Sequence, residues 1–253
     1  MNINGLSITP GADLAGADLS DTSLASKDLS KARMAGVALA GSDLTEARLV
    51  GADLRYSICH GAIFDKADLH HANLWNIDLG SSSAKETIFF KCWLGNSNLV
   101  DADIRGADFS GAWITAADLS NSLLAGSTLA GATLARACMK ETDLTGTFAV
   151  GTDFRGTILN GATMRAANLS GANLSGARLD GANLKDANFN GANLHRVDLV
   201  KAKLKGAILE EAIFCKTILP RGLDNTGCKN DKSNIEVTPQ IATTLKYKKC
   251  NKL

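Results

Sequence analysis

The chain has 253 residues, with 27 basic against 26 acidic side chains and a net charge of +1. That balance excludes a global field of the kind that draws a protein to nucleic acid or to an anionic membrane. Apolar residues reach 45% but aromatic ones only 5%, so the chain is not largely disordered, yet a conventional core of large side chains is hard to assemble from it.

In chain order, residues 1–11 form a lead-in or cap. The opening "MNINGLSITP" has neither a basic n-region nor an apolar h-region, which predicts a cytoplasmic protein. No later run reads as a membrane span. The longest uncharged one, "LSNSLLAGSTLAGATLA", is too rich in Gly, Ser and Thr.

From residue 12 to 219 the sequence keeps a beat of five. Every fifth residue from Leu14 to Leu219 gives 42 positions, and 39 of them are Leu, Phe, Ile or Met; the exceptions are Cys59, Ala84 and Ala149. Two residues before each lies a small column, Ala at 24 of the 42, with Lys27 and Ile77 as its outliers. The residue between the columns is Asp 13 times and Asn 7 times, and Gly recurs two residues after the large apolar one. No insertion or deletion disturbs the register.

A period of five fits neither a helix nor a plain strand. It fits a short extended piece, whose outer two residues point one way and whose middle one points the other, followed by a two-residue turn. Gly suits the corner because it tolerates unusual dihedrals. Repetition winds the chain into a solenoid with stacked Leu and Ala along its axis, each coil bonded to the next at roughly 4.8 Å. Within it, Ala84 is a small step in the large column. At Ala149 a local distortion that turns Phe148 inward is conceivable, and Lys27 is expected to reach outward near the N-terminal end.

The units "ANLSG", "ANLKD", "ADLRY" and "ADLSN" resemble the A(D/N)LXX consensus of the pentapeptide repeat family over residues 12–219. The resemblance implies an all-β fold, a right-handed quadrilateral β-helix with four pentapeptides per coil. It also implies about ten coils and a rod on the order of 50 Å long. Residues 20 apart then lie on the same face of adjacent coils, which stacks Ala84 between the larger Phe64 and Ile104.

That map directs the search for function. There is no GK[ST] loop, HExxH or GxGxxG, so no catalytic, cofactor-binding or metal site is expected. The best polar cluster, "DKADLHHANL", holds Asp65, Asp68, His70 and His71, each expected at a different outward position of a convex rod and read as solvated surface. His60 and His195 fall on different faces. The six cysteines have no CxxC or CxxH spacing, which argues for reduced thiols rather than a zinc site, with a Cys228–Cys250 bridge as a minor alternative.

Outward apolar residues are more informative. The stretch "AKETIFFKCWLG" keeps the beat, with Phe89 and Leu94 inward, and leaves Ile88, Phe90 and Trp93 outward. Trp93 and Trp113 take the same outward position one coil apart, Trp75 lies one coil earlier and two residues displaced, and Tyr56 sits at the edge one coil before that. Arg55 and Arg105 are expected to flank them. Two readings stand side by side: a partner-binding face, and a stabilising aromatic ladder.

Residues 220–253 lose the beat and are expected to form a C-terminal cap and a mobile basic tail. Ile208, Ile213 and Ile218 stand outward on the last coil as a cap or dimer contact, with Ile235, Ile241 and Leu245 available to cover them. A homodimer through that end is the alternative. Residues 1–130 carry 15 acidic and 9 basic side chains, residues 131–220 carry 8 and 11, and the tail from 221 carries 3 and 7.

The function expected is that of a non-enzymatic interaction or scaffold protein with a protein partner and no cofactor. Some members of the resembled family mimic duplex DNA and protect DNA gyrase or topoisomerase IV. That role needs a strongly acidic rod, which this chain lacks.

Overall fold

The computed structural model describes residues 2–3, 5–220 and 222–228. Between Asp13 and Ile218 the backbone forms parallel bridges between residues 20 apart. These bridges run in four ladders, one through each of the four pentapeptides that precede every repeat of position. One ladder passes through Asp13, Arg33, Asp53, Asn73, Trp93, Trp113, Thr133 and Asp153. The others start at Asp18, Ser23 and Asp28. Each bridge sits on the middle residue of its pentapeptide, as at Asn73, whose N–H donates to the Ala52 carbonyl at 2.9 Å while the Leu74 N–H donates to the Trp93 carbonyl at 2.8 Å.

The corners explain the glycine column. The second turn residue has a left-handed backbone at every corner from 11 to 216 except Lys201, for example Gly16 at φ 66°, Gly126 at 70° and Gly181 at 73°. Where the position is not Gly it is mostly Asn, Asp, Ser or a long polar residue, with Tyr56 at φ 61° the bulkiest and the one most strained by it. The Asp and Asn between the columns act on this corner. Their side chains accept the N–H two residues on, as Asp108 does from Ser110 at 2.8 Å and Asn188 from Asn190 at 2.9 Å. This is an Asx turn within one pentapeptide.

Inside, the large column is sealed: Leu14 to Leu199 form one continuous core. Phe89 stacks on Phe109 with centroids 4.6 Å apart and planes 6° from parallel. The small column tolerates Ser, Thr and Cys because the buried hydroxyls and thiol find a carbonyl, with Ser82 Oγ as the exception. Thr87 donates to the Phe64 carbonyl at 2.6 Å, Thr152 to Leu129 at 2.7 Å, and the Cys92 thiol to Leu69 at 2.7 Å. Ala84 and Ala149 are both buried and Phe148 is 58% exposed, so the backbone does not turn Phe148 inward. Lys27 is half-buried.

Two small antiparallel ribbons lie at the ends: β1 (Asn2–Ile3) with β2 (Leu6–Ser7), and β3 (Thr217–Leu219) with β4 (Gly222–Asp224). After β4 the chain turns back on the last coil, where the Gly227 N–H donates to the Phe214 carbonyl at 2.6 Å. A disulfide joins Cys215 to Cys228. This overturns the reading of reduced thiols at Cys215 and Cys228, and with it the Cys228–Cys250 alternative. The returning turn brings two cysteines 13 residues apart in sequence to a Cα separation of 4.7 Å, a closeness that the repeat register does not encode. Among the described residues no helix is long and apolar enough to cross a membrane.

Candidate functional site

Trp93 and Trp113 are paired on one ladder. Their rings stack at 5.6 Å with planes 8° apart, and they are 52% and 56% exposed. The pairing follows from the backbone: parallel bridging places equal positions of adjacent coils one above the other, so two outward tryptophans 20 residues apart must meet face to face. Trp75 follows Asn73, which sits on the same ladder one coil before Trp93. Its ring lies over Gly95, where an added Cβ would collide with the ring carbons Cζ3 and Cε3. Gly95 has no left-handed backbone, so the absence of a side chain there makes room for the indole and serves no turn. Tyr56, on the corner of the coil before, is 59% exposed and its N–H donates to the Trp75 carbonyl at 3.0 Å.

Arg55 reaches this face as expected but is held by Asp53, with its Nε 2.8 Å and its Nη2 2.6 Å from the two carboxylate oxygens. The hydrogen bonds from the Arg55 side chain hold the Asp53 carboxyl below the ordinary carboxylate range, against a smaller effect of burial. Two coils beyond the tryptophans, Arg155 grips Asp153 in the same manner, with Nη2 2.7 Å from Oδ2. Burial works to raise the Asp153 carboxyl, and the Arg155 side-chain and backbone bonds outweigh it and bring the group down.

Arg105 does not flank the tryptophans. It forks onto Asp103 at 2.7 Å through both Nε and Nη2, and Asp103 belongs to the ladder of Ser83 and Leu123, half a coil from Trp93 and Trp113. Eight residues separate Arg105 from Trp113, and in a 20-residue coil that distance carries a side chain well around the rod.

Ile88 and Phe90 also leave the tryptophan ladder. Ile88 is bridged to Asp68 and Asp108 on the adjacent one. Phe90 is half-buried at the next corner, against His70 at 5.2 Å and His71 at 6.0 Å, with the Lys91 ammonium 5.0 Å from its ring centre. The expectation that the "DKADLHHANL" side chains stand apart is corrected in part: Asp68 and His70 are joined at 2.8 Å, and both histidines cover Phe90. Asp65 does stand apart, accepting from Ser83 at 2.6 Å and from the Lys85 backbone at 2.9 Å. Among the described residues no group of three or more His, Cys, Asp or Glu is placed to hold a metal ion.

At the C-terminal end Ile208 and Ile213 are 44% and 42% exposed. Ile218 is paired with Leu223 in the terminal ribbon. Gly227 packs on Ile213 and Phe214, so part of the end layer is covered by the returning turn. Ile235, Ile241 and Leu245 lie outside the described residues. The two thiols in the shaft, Cys59 and Cys92, are buried and free. Burial pushes both up, Cys92 to about 12, which leaves no thiolate to react.

Four parallel ladders on a sealed axis define a solenoid β-helix of the repeat-protein class. The chain belongs to the pentapeptide repeat family: eight copies of the pentapeptide repeat model match, spanning residues 12–83, 89–148 and 150–215. Members of this family are right-handed β-helices. Among solved structures the chain is similar to HetL, a pentapeptide repeat protein involved in heterocyst differentiation regulation in the cyanobacterium Nostoc. The two are 29% identical over 88% of this chain and 98% of that one, with a TM-score of 0.46. It is also similar to full-length QnrB1, a plasmid-mediated fluoroquinolone resistance protein, at 20% identity over 83% of this chain and 92% of that one, with a TM-score of 0.40. A pentapeptide repeat protein of the Arabidopsis thaliana thylakoid lumen is 29% identical over 55% of this chain and 70% of its own, with a TM-score of 0.22. No curated protein matches.

Proposed function

We propose that this protein is a non-enzymatic interaction or scaffold protein, a four-sided rod of about ten coils whose tryptophan face docks a protein partner. One observation carries the reading. Trp93 and Trp113 stay more than half exposed on a side whose other ladder positions are charged or polar from Asp13 to Asn193, and a rod in water gains nothing by exposing them. Trp, Tyr and Arg are the residues that dominate binding energy at protein interfaces, and Trp93, Trp113, Trp75, Tyr56 and Arg55 gather at this side. Ile88, Phe90 and Arg105 are not part of it.

The alternative, a DNA-mimic modulator of DNA gyrase or topoisomerase IV, needs a rod that is acidic along its length. Residues 131–220 carry 11 basic against 8 acidic side chains, which favours the docking reading. Pull-down from the native organism with the full chain and with a Trp93→Ser/Trp113→Ser variant tests it. Partners retained by the first and lost by the second are expected, and an unchanged partner set overturns the docking face. For the alternative, purified gyrase with a quinolone suffices: neither inhibition nor protection of supercoiling retires it.

A further inference from the structure

The geometry points to a second copy of this chain as an occupant of the tryptophan face, bound antiparallel about a twofold axis that passes between Trp93 and Trp113. This rests on the reading of that face as a docking surface and names its partner.

The ladder is nearly symmetric about its tryptophans. Moving outward from the pair, it meets Asn73 on one side and Thr133 on the other, then Asp53 and Asp153, each gripped by the arginine two residues on. A twofold axis across the rods therefore lays Trp93 on the partner's Trp113. It also brings the Asp53–Arg55 pair of one copy against the Asp153–Arg155 pair of the other. Two quartets result, each of two carboxylates and two guanidiniums, each neutral, one at either end of the contact. An isologous interface needs such self-complementarity.

The corner beside the ladder repeats the pattern. Its N-terminal half carries aromatic residues, Tyr56 and Trp75; its C-terminal half carries cations, Arg155 and the exposed Arg136. The same axis keeps this corner on one side of both copies. It sets Trp75 against Arg136 of the other copy and Tyr56 against its Arg155, each within about a quarter of a coil, roughly 1 Å. Guanidinium over indole or phenol is a favourable contact.

In this orientation the Arg33–Asp13 ion pair, 3.2 Å apart along the ladder, faces the neutral Asn173 and Asn193. From Asp53 to Asp153 is five coil steps, about 24 Å. A strip that long and one side wide is at the small end of specific interfaces, so the association belongs in the micromolar range.

Sedimentation equilibrium of the full chain is expected to show a monomer–dimer equilibrium in that range, abolished by Trp93→Ser/Trp113→Ser. Arg55→Asp leaves both quartets of its homodimer with a charge of −2 and Asp153→Arg leaves them at +2, so each variant alone should dimerise at least about tenfold more weakly. An equimolar mixture of the two makes both quartets neutral again and should recover the wild-type affinity. Thermal melts matched to wild type confirm folding, and the reciprocal pair Asp53→Arg with Arg155→Asp repeats the test. A wild-type chain that stays monomeric at high micromolar concentration overturns the proposal, as does a mixture no tighter than its components. If the chain is monomeric but the tryptophan variant still loses protein partners from an extract, the dimer is refuted and the docking surface stands. If neither self-association nor partner loss is seen, both fall.

Discussion

Phe89 and Trp93 are four residues apart, and both stack on the equivalent residue of the next coil with nearly parallel rings, at 4.6 Å and 5.6 Å. One pair is inside and the other outside, which makes them a matched probe of what the outer pair is for. Phe89→Ala removes a fully buried ring from an axis where each coil contacts only its neighbours. Ala84 is already small beside it, and neither Leu69 nor Phe109 can fill two missing layers. The loss should therefore fall in the full range for such cavities, about 3–5 kcal/mol. Trp93→Ala removes a ring that is 52% exposed. Its cost is the stacking term and a modest part of buried area, about 1–2 kcal/mol. Urea unfolding followed by circular dichroism measures both, with the change in midpoint as the readout because a repeat rod need not unfold in one step. A Trp93→Ala loss as large as that of Phe89→Ala would refute the reasoning. The outer stack would then be a structural ladder, and its exposure would no longer call for a partner.

Gly95→Val should evict the Trp75 indole that lies over it, costing about 1–2 kcal/mol through overpacking and shifting tryptophan emission to the red; an unchanged spectrum would place the ring elsewhere. Cys59 and Cys92, both buried with their thiols pushed up, should not react with a disulfide reagent in the folded protein and should react once it is denatured; rapid labelling under native conditions would contradict the sealed axis. Asp53 and Asp103 have carboxyls held down first by hydrogen bonds from Arg55 and Arg105. A carboxyl depressed by folding contributes stability above its unfolded value of about 4, and that contribution is lost as pH falls through the lower folded value. The urea midpoint should thus drop below about pH 4 in wild type and drop less in Asp53→Asn/Asp103→Asn; parallel curves would show that the pairs contribute nothing measurable. Reduction of Cys215–Cys228 should raise amide exchange at Thr226–Cys228 while leaving the ladders of the shaft protected; loss of protection along the rod would show that the end turn holds more than the end.

The solenoid is legible in the chain alone, because a strict beat of five with two apolar columns can bury both only by winding around them. Counting in twenties was enough to stack Trp93 on Trp113 and to set Trp75 and Tyr56 on the coils before. Several placements were not legible there. Arg105 and Phe90 read as neighbours of the tryptophans because they are close in sequence, but in a solenoid a few residues move a side chain to another face. Three-dimensional packing settled them. It turned Arg105 onto Asp103, tucked Phe90 under His70 and His71, opened Gly95 beneath Trp75, and closed Cys215 on Cys228. Arg105 is held by a carboxylate only two residues away; in the other cases the deciding contact runs between coils or off the end of the repeat, where side-chain reach and packing, and not the period of the chain, set which groups meet.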